Sequence, residues 1–183
     1  MKQQLNDGII EEAKNNPVVG EVVYLPHRPV IREDKSTTKV RIVFDASAKN
    51  KSRSLNECLF KGPALTPLLF DILLRFRISN IGLSADIEQA YLQISVNPSE
   101  RDYMRLLWFR DVSEERPEII KYRFSRVIFG ASPSQFLLNS VVKVHVEKYK
   151  KIDPYFVAKV LRSFYVDDLN SGVRAAEEGK ELS

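Results

Sequence analysis

Residues 160–173 read VLRSFYVDDLNSGV, and no other stretch constrains the architecture of this chain as strongly. The mainly apolar residues 160–166 predict a strand, and the polar residues 170–172 predict a turn before the chain becomes apolar again. Asp167 and Asp168 would then lie at or beside the tip of a β-hairpin. Because neighbouring carboxylates repel each other, the pair indicates a bound cation, with an exposed acidic turn as the alternative.

A third carboxylate, Asp86, follows a predicted strand at 81–85 that is uncharged and is expected to be buried. A charged group at that position is costly unless it lies at a sheet edge or binds a metal ion. If this strand and the 160–173 hairpin are neighbours, Asp86 joins Asp167 and Asp168 at one site. Two Mg²⁺ ions that activate a 3′-hydroxyl and stabilise a leaving pyrophosphate require such shared carboxylates.

The rest of the chain alternates predicted helices and strands, without an internal repeat. Helices are predicted at 1–16, from Thr66-Pro67 to Ser79-Asn80, and from Ser132-Pro133 onward. Strands are predicted at 18–31, 39–44, 103–109 and 119–129, with a polar turn at 35–38. The apolar helix faces are predicted at Ile9, Ile10 and Ala13; at Leu69, Ile72, Leu73 and Phe76; and at Phe136, Leu137, Val141, Val144 and His145. This order indicates an α+β fold, an antiparallel sheet with helices packed on one face.

Composition excludes several classes of protein. The chain has 183 residues, 44% of them hydrophobic, which suits one compact domain or one domain with a small appendage. No apolar run approaches the roughly 20 residues of a membrane span, and the polar N-terminus is no signal peptide. One cysteine, Cys58, with only His27 and His145 beside it, excludes a disulfide framework and argues against a zinc site. No glycine-rich phosphate-loop motif is present.

The positive charge is concentrated in one segment between Arg28 and Arg53, in a chain whose net charge is +4. Its basic residues are Arg28, Arg32, Lys35, Lys39, Arg41, Lys49, Lys51 and Arg53, and its acidic residues are Glu33, Asp34 and Asp45. β-Branched residues alternate with these charges, so the segment predicts a basic hairpin that binds phosphates. A solvated basic surface without a ligand is the alternative.

Two motifs together make the chain recognisable. Tyr165-Val166-Asp167-Asp168 matches the Tyr-x-Asp-Asp motif of polymerases, and residues 86–91, DIEQAY, match an Asp-x-x-x-Ala-Tyr/Phe motif. With them, the chain resembles the reverse transcriptase domain of LTR retrotransposons, most closely the BEL/Pao group. The resemblance extends over almost the whole chain, through YLPHRPVIRED (24–34), TTKVRIVFDASAK (37–49), SLNECL (54–59), GPALTPLLFDILLRFR (62–77) and FLLN (136–139).

The resemblance implies an RNA-directed DNA polymerase that transfers deoxynucleotides to a primer 3′-hydroxyl with two Mg²⁺ ions, or with Mn²⁺. Asp86, Asp167 and Asp168 would be the catalytic carboxylates and metal ligands, assisted by the backbone carbonyl of Ile87. The implied partners are an RNA or DNA template with its primer and deoxynucleoside triphosphates, and no membrane. The implied location is intracellular, in a cytoplasmic particle or the nucleus.

The resemblance also implies which residues bind the incoming nucleotide. Tyr91 would exclude a ribose 2′-hydroxyl as a steric gate, with an aromatic core residue as the alternative. Arg41 would contact the base and the triphosphate, together with a lysine that is either Lys39 or Lys35. Phe129-Gly130 would approach the nucleotide through the backbone, where glycine is favoured.

The chain departs from the family pattern at residue 135, where related elements usually have proline and this chain has Gln135, with Pro133 earlier. This affects the expected helix start and its template-side contacts. We expect a fingers-like region at 1–80 and a palm at 81–183, interleaved around 100–130. The family's thumb, RNase H and integrase would belong to a longer Pol polyprotein, because the chain ends shortly after Asp168.

Two other functions are weighed against the polymerase. The first alternative is a truncated transposon remnant that is inactive or only binds nucleic acid. The absence of a thumb favours this alternative, and the presence of all three carboxylates argues against it. Another palm-type enzyme, such as a nucleotide cyclase, is disfavoured because it would need neither the basic hairpin nor Tyr91.

Overall fold

The computed structural model describes residues 1–13, 22–31, 33, 40–49, 51 and 53–173. Their helices are α1 (Lys2–Asn6), α2 (Leu55–Cys58), α3 (Leu69–Ile78), α4 (Ser134–Glu147) and α5 (Pro154–Ser163). Their strands are β1 (Ile10–Glu12), β2 (His27–Ile31), β3 (Val40–Phe44), β4 (Ile81–Asp86), β5 (Arg105–Phe109), β6 (Ile119–Phe124), β7 (Phe164–Tyr165) and β8 (Asp168–Val173). Short 3-10 helices cover Ala90–Gln93 and Arg101–Met104.

The strands form three sheets, in the orders β1-β6-β5, β2-β3 and β4-β8-β7. Every pair of these strands is antiparallel. Mixed helices and antiparallel sheets confirm the α+β class. No helix within the described residues is long and apolar enough to cross a membrane.

The chain forms two compact units that are interleaved in sequence. The first contains Met1–Phe60 and Tyr91–Ser134, and the second contains Lys61–Ala90 and Gln135–Ser183. The expected fingers-like and palm regions are functional divisions, and they stay predictions. The compact units group α3 with β4 and the last hairpin, because α3 packs against β8.

The core of the first unit lies on the sheet β1-β6-β5. Ile10, Leu106 and Phe124 are almost wholly buried, and Phe44 packs on Phe124 edge-to-face with 4.8 Å between ring centroids. Each apolar side chain buried in this way stabilises the unit by about 1.5–3 kcal/mol. The same cluster includes Ile9, Leu25, Ala46, Leu55, Met104 and Ile128.

The prediction of a helix at 1–16 is wrong beyond Asn6, where α1 ends. Gly8 has a φ of 65°, a left-handed conformation that ends the helix and that glycine adopts without strain. The chain then turns into β1, whose Ile10 pairs with Phe124 of β6. Sheet pairing therefore overrides the helical periodicity, although Ile9, Ile10 and Ala13 are buried as expected. Residues 14–16 lie outside the described part of the chain.

The predicted basic hairpin is confirmed as the antiparallel pair β2-β3, with a register that runs from His27↔Phe44 to Ile31↔Val40. The first strand is shorter than the predicted 18–31, and the predicted turn at 35–38 lies outside the described residues. The strands predicted at 103–109 and 119–129 are also shorter. Residues 101–104 form a 3-10 helix, and Val127 donates its N–H to the Ile94 carbonyl instead of a sheet neighbour.

In the second unit, α3 packs closely on the β4-β8 pair through two glycines. Gly82 and Gly172 are direct cross-strand partners. A Cβ atom added at Gly82 would lie 2.5 Å from the Phe76 ring, and one at Gly172 would lie 2.3 Å from Ser79. The glycines are therefore required by close packing, and neither has a left-handed φ.

Four expectations for this unit need correction. Helix α3 starts after Leu68, whose carbonyl accepts the first helical hydrogen bonds, so Thr66 is not its cap. Only Ile72 of the predicted α3 face is buried. Strand β4 is largely exposed instead of buried. On α4 the buried apolar side chain is Leu138, whereas Leu137, Val141 and Val144 of the predicted stripe are exposed.

The predicted strand at 160–166 is mostly helix, because α5 extends to Ser163. Asp153 caps this helix by accepting a 2.8 Å hydrogen bond from Phe156 N–H, and Pro154 occupies its first turn. Residues 170–172 are not a turn but part of β8. The hairpin turn itself is confirmed, and it lies at Val166 and Asp167.

A network of five charged side chains ties together elements of the first unit. Glu11 of β1 accepts from Arg101 and Arg123 at 2.7 Å, and Asp102 pairs with Arg105 at 2.9 Å and with Arg123 at 3.1 Å. The Arg105 side chain is only 1% exposed. Burial alone raises the pKa of the Asp102 carboxyl, but hydrogen bonds from Arg105 and Arg123 outweigh it and hold the pKa below its ordinary value.

Replacing Asp102 by Asn should therefore destabilise the protein by about 2–3 kcal/mol at pH 7, because Arg105 would keep a buried charge without its carboxylate. The depressed pKa of Asp102 stabilises the fold above its unfolded pKa of about 3.9 and stops doing so as pH falls through the folded-state pKa. Urea unfolding of the wild type and D102N at pH 7 and pH 3 measures both effects.

The matched control is Glu118→Gln, which removes a carboxylate from the solvent-exposed Arg110–Glu118 pair. It should leave the urea midpoint at pH 7 nearly unchanged. A D102N midpoint equal to that of the control, or a difference from wild type that does not shrink at pH 3, would contradict this role for Asp102.

Candidate metal centre

Asp86 and Asp168 face each other across two neighbouring strands. β4 and β8 pair over six positions, from Ile81↔Val173 to Asp86↔Asp168. Asp86 is the last residue of β4 and Asp168 is the first of β8, so both lie at the same end of the sheet. Like charges directly opposite each other in an antiparallel pair are destabilising by up to about 1 kcal/mol.

The turn between β7 and β8 brings the third carboxylate to this sheet end. Tyr165 pairs with Asp168, which leaves Val166 and Asp167 as the two residues of the loop. Val166 has a φ of 59°, a left-handed conformation that costs a β-branched residue roughly 1–3 kcal/mol. The Asp167 carbonyl accepts a 3.1 Å hydrogen bond from the Ile87 N–H, which ties the strained turn to the end of β4.

The three carboxylates form a compact cluster. One oxygen from each of Asp86, Asp167 and Asp168 lies within 4.8 Å of the other two. None of the three side chains forms an ion pair or hydrogen bond with a residue in the described ranges. Two unit charges 4 Å apart repel by about 1 kcal/mol in water and more near a protein surface. The three residues together could hold a metal ion, whose hard oxygen ligands they supply.

The backbone around Ile87 is also ordered by hydrogen bonds. Its carbonyl, the implied additional metal ligand, accepts a 3.2 Å hydrogen bond from the Ala90 N–H. Between them, Gln89 has a φ of 52°. A carbonyl oxygen has two lone pairs, so one stays free for a metal ion, and the ligand role of Ile87 stays a prediction.

Tyr91, Phe129 and Gly130, the implied nucleotide-binding residues, lie together in the first unit. Tyr91 is 7% exposed and packs edge-to-face on Phe129, with 4.4 Å between ring centroids. Its packing fits the core interpretation, and the steric-gate role stays a prediction. Gly130 has a φ of 87°, while an added Cβ would meet only the Phe44 carbonyl at 3.6 Å. Position 130 therefore favours glycine because of its backbone conformation, since an added Cβ atom would have enough room there.

Asn56 fixes the loop that carries Gly130, and the sequence offered no signal for it. Its side-chain amide donates to the Gly130 carbonyl at 2.8 Å, and its side-chain oxygen accepts from the Ser132 N–H at 2.7 Å. These long-range contacts depend on tertiary structure. Asn56 is part of the SLNECL stretch, where its residue type alone indicates no role.

The hairpin β2-β3 presents arginines on one face. Arg41 is exposed and forms no ion pair with a described residue. Its cross-strand partner is Val30, and Arg28 pairs with Val43, so the period of two places both arginines on the same face. Sequence reasoning did not select Arg28 because this requires the register. Lys39 and Lys35, the two candidate triphosphate ligands, lie outside the described residues.

Gln135 occupies the second position of α4, which begins at Ser134. The Ser134 hydroxyl donates to the Ile128 carbonyl at 2.7 Å, and the Gln135 carbonyl accepts from the Asn139 side chain at 2.7 Å. The helix start lies within two residues of the predicted Ser132-Pro133. The first turn of a helix tolerates proline and other residues alike, so the departure at position 135 leaves the helix intact.

In comparisons with known proteins, no protein-family model and no curated protein matches this chain. The function is therefore inferred from the residues and their geometry.

Replacing Asp86 by Asn should raise the melting temperature of the protein in EDTA, because it removes the repulsion across the Asp86↔Asp168 pair, worth up to about 1 kcal/mol. The same change should remove most of the stabilisation that Mn²⁺ or Mg²⁺ gives the wild type, since a ligand is lost. Thermal unfolding in EDTA and in a series of Mn²⁺ concentrations tests both statements.

Glu114→Gln is the matched control, because it removes an exposed carboxylate remote in sequence from the three aspartates. It should leave the Mn²⁺-dependent shift intact. The metal-centre assignment fails if Mn²⁺ does not stabilise the wild type, or if it stabilises D86N by the same amount.

Proposed function

We propose that this protein is a reverse transcriptase domain of an LTR retrotransposon, an RNA-directed DNA polymerase of the BEL/Pao type. The observation that carries the proposal is the convergence of Asp86, Asp167 and Asp168 at one sheet end, with carboxylate oxygens within 4.8 Å of each other. The turn that carries Asp167 is strained at Val166. Strained backbone conformations of this kind are common at functional sites.

Under this proposal, the three aspartates hold two Mg²⁺ ions. Those ions, when bound, lower the barrier by activating the primer 3′-hydroxyl and stabilising the charge on the leaving pyrophosphate. The carboxylates keep a fixed arrangement because β4-β8 pairing and the Ile87–Asp167 hydrogen bond position them before substrate binds. The protein would therefore contribute to the reaction mostly by positioning the reacting groups.

The basic face of the hairpin supports the choice of a nucleic-acid or nucleotide substrate. Arg28 and Arg41 lie on one face of β2-β3, and guanidinium groups bind phosphate oxygens with two donors at once. Arg41, together with either Lys39 or Lys35, remains the proposed triphosphate ligand. The fingers and palm designations, the template with its primer, and an intracellular Pol polyprotein are part of the same proposal.

Replacing Asp167 by Asn should reduce primer extension by more than about 100-fold, a larger effect than loss of an outer-shell partner. The assay uses a primed RNA template, the four deoxynucleoside triphosphates and Mg²⁺ or Mn²⁺. Glu114→Gln, with an exposed carboxylate removed elsewhere, should extend the primer as the wild type does.

Circular dichroism must show the same fold for all three proteins. If none of them extends the primer while the fold is intact, the chain is not an autonomous polymerase, and the inactive-remnant alternative is favoured. If D167N extends as efficiently as the wild type, the catalytic assignment of the carboxylate is wrong.

Replacing Tyr91 by Val should increase ribonucleotide incorporation relative to deoxynucleotide incorporation by about tenfold or more, because the proposed gate loses its ring. The matched control is Tyr91→Phe, which keeps the ring that packs on Phe129 and should keep the discrimination. Single-nucleotide extension with each triphosphate gives the two kcat/KM values. Unchanged discrimination in an active Y91V protein would leave Tyr91 as a core residue only.

A further inference from the structure

The side chain of Asn56 connects segments of the first unit that are far apart in sequence. Its amide nitrogen donates to the Gly130 carbonyl and to the Ser47 hydroxyl, both at 2.8 Å. Its side-chain oxygen accepts from the Ser132 N–H at 2.7 Å. An asparagine side chain has two N–H donors and one carbonyl oxygen, so Asn56 uses its donors and its acceptor within the folded protein.

The backbone of Asn56 makes the same connections. Its N–H donates to the Ala46 carbonyl at 3.0 Å, and its carbonyl accepts from the Ser132 hydroxyl at 3.3 Å. Ala46 is 3% exposed and lies just after strand β3, which carries Arg41. Asn56 therefore ties α2 to the end of the basic hairpin on one side and to residues 130–132 on the other.

The segment that Asn56 holds is a tight turn. Phe129 and Gly130 are its two central residues, and the φ of 87° at Gly130 fits the third position of a type II turn. The Ser134 hydroxyl donates to the Ile128 carbonyl at 2.7 Å, which fixes the residue before the turn. Asn56 fixes the other side, because it binds the carbonyl of Gly130 and the N–H that follows Ala131.

The conformation of this turn decides where Phe129 and the Gly130 backbone lie. Phe129 packs edge-to-face on Tyr91, with 4.4 Å between ring centroids, so a displaced turn would also disturb Tyr91. Without Asn56 the turn would sample more conformations, because glycine permits many combinations of φ and ψ. A ligand that requires one of these conformations then binds more weakly, since binding must order the turn first.

We propose that Asn56 is a positioning residue of the nucleotide site, which holds the Phe129–Gly130 turn and the end of the Arg41 strand in one arrangement. The inference rests on the proposed function, in which Phe129, Gly130 and Arg41 bind a deoxynucleoside triphosphate. Asn56 acts through these residues and does not touch the nucleotide itself. It reduces the conformational freedom that they lose when the nucleotide binds.

Replacing Asn56 by Ala should weaken binding of the next correct deoxynucleoside triphosphate by about tenfold, because the turn loses the hydrogen bonds that order it. The full chain is titrated with the triphosphate in Mg²⁺ on a template whose primer ends in a dideoxynucleotide, so that the nucleotide binds but no bond forms. Calorimetry gives the Kd. With an ordinary primer, N56A should raise the KM of the triphosphate by a similar factor and change kcat less.

Glu57→Ala is the matched control on the same helix. Glu57 accepts from the Ser54 N–H at 2.9 Å and pairs with Lys49 at 2.6 Å. Its loss therefore removes the capping box of α2 without removing a hydrogen bond to residues 128–134. E57A should lower the melting temperature and leave the Kd of the triphosphate at the wild-type value, which separates positioning from a general loss of stability.

A double-mutant cycle with Gly130→Ala tests whether Asn56 acts through the turn. Alanine disfavours the φ of 87°, so G130A should itself weaken triphosphate binding. If both residues act on the same turn, N56A/G130A should bind about as weakly as the weaker single variant, whereas independent effects would multiply. Amide hydrogen exchange of residues 129–132 should be faster in N56A than in the wild type, and unchanged in E57A.

The outcomes distinguish this proposal from the polymerase proposal. A wild type that binds the triphosphate but does not extend an ordinary primer refutes catalysis and leaves the role of Asn56 standing. That role is overturned if N56A binds the triphosphate as the wild type does, if E57A weakens binding equally, or if the effects of N56A and G130A multiply. It is overturned together with the proposed nucleotide site if the wild type binds no triphosphate.

Circular dichroism identifies a variant that fails to fold. If N56A does, Asn56→Ser takes its place, because the shorter side chain keeps one hydroxyl for hydrogen bonding but loses the amide that holds Gly130 and Ser132 together. The same criteria then decide the outcome.

Discussion

The antiparallel pairing of β4 with β8 is the constraint on which the carboxylate cluster depends. Its register places Asp86 opposite Asp168, and the same register places Gly82 opposite Gly172, where α3 packs. Because side chains alternate between the two faces of a strand, a shift of one residue would turn Asp168 to the other face. It would also put a side chain against α3 where a Cβ atom has no room. Packing at one end of the pair therefore maintains the charge cluster at the other.

This arrangement is stable despite its electrostatics. The three aspartates repel one another, and Val166 keeps a left-handed conformation that valine disfavours. A chain that needed only a turn would have lower energy with glycine or asparagine at that position. The hydrogen bond from Ile87 to Asp167 and the ladder of β4 and β8 compensate for this local cost. The three carboxylates, which could hold a metal ion, are thus kept in a fixed arrangement by the structure around them, as the proposed catalytic site requires.

The sequence predicted the α+β class, the basic hairpin and the three carboxylates at the end of neighbouring strands, because each depends on local pattern or adjacent residues. It failed where long-range contacts decide. Ile10 has helical spacing but pairs with Phe124 in a sheet. The error at α5 is different, because Asp153 and Pro154 are a local helix-start signal that the sequence does contain. Asn56 and the register of β2-β3 have no local signal, since only the folded chain brings their partners together.

If Asp86, Asp167 and Asp168 bind a divalent cation together, as we propose, an anomalous difference map will locate the ion. Crystals of the protein grown with millimolar Mn²⁺ would be measured at a wavelength where manganese scatters anomalously. We expect a strong peak within coordination distance of all three carboxylates. Ordered carboxylates with no peak between them would contradict it.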